Sequence, residues 1–102
     1  MQPHMNTIQQ AGAARFALGQ TFNTPGAEEA LQIAGQTATE FLRRHMSGDW
    51  GDLSDEDVRE NEFSLKEGLR LLSAYQTGKG QKLWIITEAD RSATTILLPS
   101  EY

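Results

Sequence analysis

The spacing of apolar residues along this 102-residue chain changes once, near Gly68. Before that point the spacing is helical. Ala27, Ala30, Leu31 and Ala34 recur on one face of a helix opened by Thr24-Pro25 and stopped by Gly35. Thr37-Ala-Thr-Glu40 reads as a capping box that starts a second helix through Phe41, Leu42 and His45, with Gly48 as its stop. Ser54-Asp-Glu-Asp57 opens a third, acidic at its first turn, with Val58, Asn61 and Leu65 on one face and Gly68 at its end. Glu62 and Lys66 form an i,i+4 pair on it.

After Gly68 the pattern suits strands. Leu69 to Tyr75 predicts one, Lys82 to Thr87 a second and Ser92 to Leu98 a third. Gln76 to Gly80 and Glu88 to Arg91 are the turns between them, and Pro99 ends the run. Arg15 to Leu18 adds a short apolar patch that reads as a small N-terminal strand. Residues 1–13 read as a flexible tail and 14–102 as a single domain. The predicted fold is α+β: three short helices followed by a three-stranded antiparallel β-meander, with the helices packed on one sheet face. The expected core is Leu31, Phe41, Leu42, Trp50, Leu65, Leu69, Leu71, Trp84, Ile86 and Leu97.

Composition narrows the chemistry. There is no cysteine, which excludes disulfide, zinc-thiolate and thiol-nucleophile chemistry. The longest apolar run is far below the ~20 residues of a membrane span, and residues 1–10 lack the pattern of a secretory signal. A cytoplasmic protein is expected, with no cofactor and no membrane partner. The net charge of −5 is unevenly spread. Residues 25–68 hold eleven acids and four bases, whereas residues 69–102 hold three acids and four bases. Nucleic acid is therefore not favoured as a partner, and any anion would meet the sheet half. The acidic helical surface (Asp55, Glu56, Asp57, Glu60) suits a protein partner.

The densest polar set lies in the strands: Arg70, Ser73 and Tyr75 on the first, and Arg91, Ser92, Thr94 and Thr95 at the start of the third. Arginine offers a fork of donors to a phosphate, and Ser or Tyr hydroxyls can move a proton near a leaving oxygen. Glu88 is a candidate general base. Alternation puts Ser73 and Tyr75 on one face and Arg70 on the other, and solvent-facing hydroxyls explain such a set equally. A second segment, His45 to Asp52, carries His45, Asp49, Trp50 and Asp52 as candidate binding residues. His45, Asp49 and Asp52 could hold a hard cation. Alternatively, Trp50 plugs the core while the aspartates bind loop amides or cap a helix. Gly78-Lys79-Gly80 lacks the spacing of a phosphate loop and reads as a hairpin turn.

Three stretches carry a resemblance: Arg44-His-Met-Ser-Gly-Asp-Trp-Gly-Asp-Leu53, Arg70-Leu-Leu-Ser-Ala-Tyr75, and Leu83-Trp-Ile-Ile-Thr-Glu-Ala-Asp-Arg-Ser-Ala-Thr-Thr-Ile-Leu-Leu-Pro99. They resemble a family of small bacterial proteins met on plasmids and prophages, often labelled as a type I restriction enzyme M subunit. The chain has no Gly-rich cofactor loop and no Asn-Pro-Pro-Tyr motif, so the resemblance implies a mobile-element accessory protein and not a methyltransferase. Element order, together with Arg70, Ser73, Tyr75 and Arg91, is loosely similar to barnase-like and RelE-like ribonucleases. Two expectations follow: a non-enzymatic binding or regulatory module, and alternatively a metal-independent ribonuclease. In the second, Arg70 or Arg91 would neutralise the phosphate, while His45, Tyr75 or Glu88 would move protons.

Overall fold

Each helix begins at a side-chain cap, as the spacing predicts. In the computed structural model, which describes residues 13–102, Thr24, Thr37 and Ser54 accept from the backbone N–H groups of Ala27, Glu40 and Asp57. The helices are α1 (Pro25–Ala34), α2 (Ala38–Met46) and α3 (Asp55–Glu67). Gly35 and Gly68 end α1 and α3 in the left-handed conformation. The capping box at Thr37 closes on one side only, because the Glu40 carboxylate accepts from Gln36 Nε2 at 2.9 Å. The Glu62–Lys66 pair gives way to a bidentate one: Arg15 grips Glu62 with its two terminal guanidinium nitrogens, at 2.9 and 3.0 Å.

The strands are β1 (Gln20–Asn23), β2 (Leu71–Gln76), β3 (Lys82–Thr87) and β4 (Ala93–Leu97), followed by a 3-10 turn at Pro99–Glu101. The meander β2-β3-β4 is antiparallel, but the sheet is mixed and four-stranded, in the order β1-β4-β3-β2. A strand therefore precedes the helices, and β1 runs parallel to β4. This strand lies at 20–23 and not at the apolar patch 15–18. Its sequence, Gln-Thr-Phe-Asn, carries no buried face, because β1 is an edge strand exposed at every position. Gly19 makes the pairing possible, since a Cβ there would stand 2.2 Å from the Ser92 carbonyl oxygen. Strand β2 starts at Leu71 and not at Leu69, because the Leu69 N–H is spent on Ser64 O at the end of α3.

The core lies between α1, α2 and the inward sheet face, where Phe41 packs on Tyr75 with ring centroids 5.6 Å apart. Alternation puts Leu71, Ser73 and Tyr75 of β2 on this face, with Leu83, Ile85 and Thr87 of β3 and Thr94 and Ile96 of β4. Leu31, Phe41, Trp50, Leu71, Ile86 and Leu97 are buried as expected. Leu42 and Leu65 are half-buried, and Leu69 is 45% exposed, outside the strand that was to bury it. Trp84 is half-buried and points to the opposite face, with Leu72 and Ala74. Tyr75, Leu83, Ile85 and Ile96 take the inner positions instead. Among the described residues no helix is long and apolar enough to cross a membrane.

Helix α3 does not lie in the helical layer; it flanks the free edge of β2. The Asn61 amide mimics a peptide group there, accepting from Leu72 N–H and donating to Leu72 C=O. Two residues on, Ala74 N–H donates to Trp50 O at 3.1 Å and Asp52 N–H donates to Ala74 O at 2.6 Å. This parallel bridge requires glycine at position 51, where a Cβ would stand 2.0 Å from Ala74 O. A sheet edge is thereby closed without a further strand. Replacing Asn61 by Leu leaves both Leu72 groups unpaired beside a buried side chain. The expected cost is about 2 kcal/mol in urea unfolding, and an unchanged midpoint would show the amide to be dispensable.

Candidate functional site

The inward polar residues form one connected chain of hydrogen bonds. His45, Ser73, Thr87 and Thr94 are each 0% exposed. Thr94 donates to the Leu18 carbonyl oxygen at 2.7 Å and so accepts from Thr87, also at 2.7 Å. Having spent its proton, Thr87 accepts from His45 Nε2–H at 2.9 Å. That leaves Nδ1 as an acceptor, and Ser73 O–H donates to it at 2.6 Å. The directionality selects the neutral Nε2–H tautomer of His45. Phe16 and Trp50 wall off the imidazole, with centroids 5.1 and 5.8 Å from it. Burial, and secondarily the charge of Arg91, lowers the His45 pKa from 6.5 to about 4.

Ser73 and His45 therefore meet in nucleophile–base geometry, but in the core, where no substrate reaches them. Thr94 belongs to the same chain. Thr87, which completes it, was not singled out from the sequence. Its signal was there: Ser73, Thr87 and Thr94 share the inward phase with Tyr75, Ile85 and Ile96, and three buried hydroxyls require a polar partner.

The other candidates fall into two groups, Tyr75 with Asp49 and Trp50 around the loop after α2, and Arg70 with Glu88 and Arg91 at the β3–β4 turn. Tyr75 is 2% exposed; its hydroxyl donates to Asp49 O at 2.6 Å, and the Arg44 guanidinium lies 4.5 Å from its ring centre. Burial pushes the Tyr75 phenol up. Asp49 pairs with Arg44 Nε at 2.7 Å and accepts from Gly51 N–H, which holds its pKa below the usual carboxylate range. Trp50 is buried and donates from Nε1 to Glu62 at 3.0 Å. With Arg15, that bond lowers the Glu62 pKa to about 2. Arg91 sits in the left-handed region at φ 61° in the β3–β4 turn. Its guanidinium donates to carbonyls of Leu69, Glu88 and Ala89 and reaches Ser64 O, tying that turn to the end of α3. Arg70 and Glu88 are exposed partners 3.4 Å apart, and Arg70 also donates to the Tyr102 hydroxyl at 3.1 Å. His45 and the carboxylates of Asp49 and Asp52 do not converge, and among the described residues no group of three His, Cys, Asp or Glu is placed to hold a metal ion.

Accessible relief is present on the opposite sheet face. A groove of about 610 Å³ runs between the start of α3 and the β2–β3 hairpin, lined by Asp52, Leu53, Asp57, Leu72, Ala74, Tyr75, Gln76, Lys82 and Trp84. Beyond Trp84 a smaller hollow of about 230 Å³ is formed with Arg70, Ile86 and Tyr102. The Tyr102 ring meets Trp84 edge-on at 5.7 Å. No known protein family, curated protein or solved structure matches the chain.

The buried imidazole makes stability pH-dependent. Above pH 6.5 His45 is neutral in both the folded and the unfolded chain. As the pH falls from 6.5 to about 4 the unfolded chain takes up a proton that the folded one refuses. Stability falls through that window by about 3 kcal/mol in all. Urea unfolding across pH 7 to 4 should show this slope, and His45→Gln should flatten it between pH 6.5 and 5, above the range where the paired carboxylates of Glu62 and Asp49 add their own. An equal slope in the variant would exclude His45 as its source.

Proposed function

We propose that the protein is a non-enzymatic binding module, an accessory protein of the mobile-element kind. Its working surface, in this reading, is the sheet face around Leu72 and Trp84, turned away from α1 and α2. One observation carries the proposal: His45, Ser73 and Tyr75 are buried and hydrogen-bonded within the chain and the exposed Glu88 is paired with Arg70, while a groove of mixed apolar and charged lining is open to solvent. A metal-free ribonuclease needs an acid and a base beside a cation that can reach phosphate. Here Ser73 and His45 are buried, the Tyr75 hydroxyl is spent on Asp49 O, Arg91 is engaged by main-chain carbonyls, and the two exposed candidates, Arg70 and Glu88, are paired with each other. A groove of several hundred Å³ with aromatic side chains and a few polar groups in its lining suits recognition of a partner's side chains.

Incubation of the folded protein at micromolar concentration with mixed-sequence RNA in EDTA should leave the RNA intact. Cleavage to 2′,3′-cyclic phosphate ends, abolished by Arg70→Ala in a protein that still folds, would overturn the reading.

A further inference from the structure

We infer that the groove beside Trp84 takes an arginine or lysine side chain from an extended basic segment of a partner protein. The inference rests on the reading of the protein as a binding module and adds the chemistry of the partner.

The apolar part of the lining is Leu53, Leu72, Ala74 and the half-buried Trp84. Another part is acidic. Asp52 and Asp57 line the groove, and among the described residues neither carboxylate has an ion pair or a hydrogen bond. This sets them apart from Asp49, Glu62, Glu88 and Glu101, whose carboxylates all have partners within the chain. Lys82, at the hairpin end of the groove, is a single cation against two carboxylates. Asp55, Glu56 and Glu60 on α3 add to the negative potential.

An apolar lining that includes an aromatic ring, together with carboxylates, is complementary to a long side chain with an apolar stem and a cationic head. The stem lies on Leu72 and Ala74, the head reaches Asp52 and Asp57, and the Trp84 ring face attracts the same charge. Recognition must come from side chains, because the outward N–H and C=O groups of Leu72 and Ala74 are already bonded to Asn61, Trp50 and Asp52. A partner cannot add to β2 as a further strand.

The test uses three capped peptides of one length, Leu-Arg-Leu-Arg-Leu and its Gln and Glu counterparts, titrated into 15N-labelled protein at low salt. The arginine peptide should shift the Trp84 indole, Ala74 and Gln76 resonances in a saturable way, and the other two should not. Asp52→Asn/Asp57→Asn should weaken that binding about tenfold, roughly threefold for each ion pair lost. Asp55→Asn/Glu56→Gln, which removes the same charge outside the groove, should weaken it less than twofold. Equal losses in the two double variants would reduce the binding to net-charge attraction and overturn the inference. Equal affinity for the glutamine or glutamate peptide would overturn the cation preference while keeping the binding-module reading. Concentration-dependent Trp84 shifts without peptide would give the groove to a second copy of this chain. No shift with any peptide would also overturn the inference, while the RNA assay would still decide the broader reading.

Discussion

The imidazole of His45 is the polar centre on which the layers of this fold depend. Its two nitrogens join α2 to β2 and β3, and the relay through Thr87 and Thr94 carries the connection to β4 and the segment before β1. Four buried polar side chains in a core of this size would be costly if any were unpaired. Each instead has a partner, and among the described residues no buried side-chain polar atom lacks one. Satisfied throughout, such a chain specifies one register. A one-residue slip of β3 or β4 would replace Thr87 or Thr94 by a residue of the opposite face.

That constraint explains why Ser73 and Thr94, read from the strands as candidate chemistry, lie inside the core. Serine beside histidine is the usual signature of a nucleophile and its base, and the geometry is present, but accessibility is not. Arginine in a tight turn suggests anion binding, yet Arg91 spends its donors on four main-chain carbonyls of that turn, of Leu69 and of the end of α3. In both cases local sequence identifies the functional group, and the fold decides where it faces.

The three helices and the meander were legible because their signals are local: caps at Thr24, Thr37 and Ser54, left-handed glycines at Gly35 and Gly68, and β-branched runs in β3 and β4. What escaped was non-local. Strand β1 is polar on both faces and exists only because β4, seventy residues on, offers it a partner. The core expected from β3 and β4 took the opposite phase because Ile85 and Ile86 are adjacent and both buried, so hydrophobicity alone does not say which faces the helices, whereas Leu71 of β2 was placed correctly. The Ser73, Thr87 and Thr94 hydroxyls would have broken the tie only if read as inward polar groups awaiting His45. The groove escaped for a similar reason: α3, β2 and the hairpin that line it meet only in the folded chain.

The parallel pairing of β1 with β4 has a consequence for how the chain acquires its structure. The hairpins β2-β3 and β3-β4 need only short loops to close, whereas β1 must wait for a connection of about seventy residues, through three helices, to bring it home. The same long closure is shared by the bonds from Glu101 to Thr24 and Gly26. Loop-closure entropy thus favours an order in which the meander forms first and β1 pairs last. In reverse, the edge made of Gln20–Asn23 is the first part of the sheet to open, while β3, paired on both sides, is the last to give up its amides.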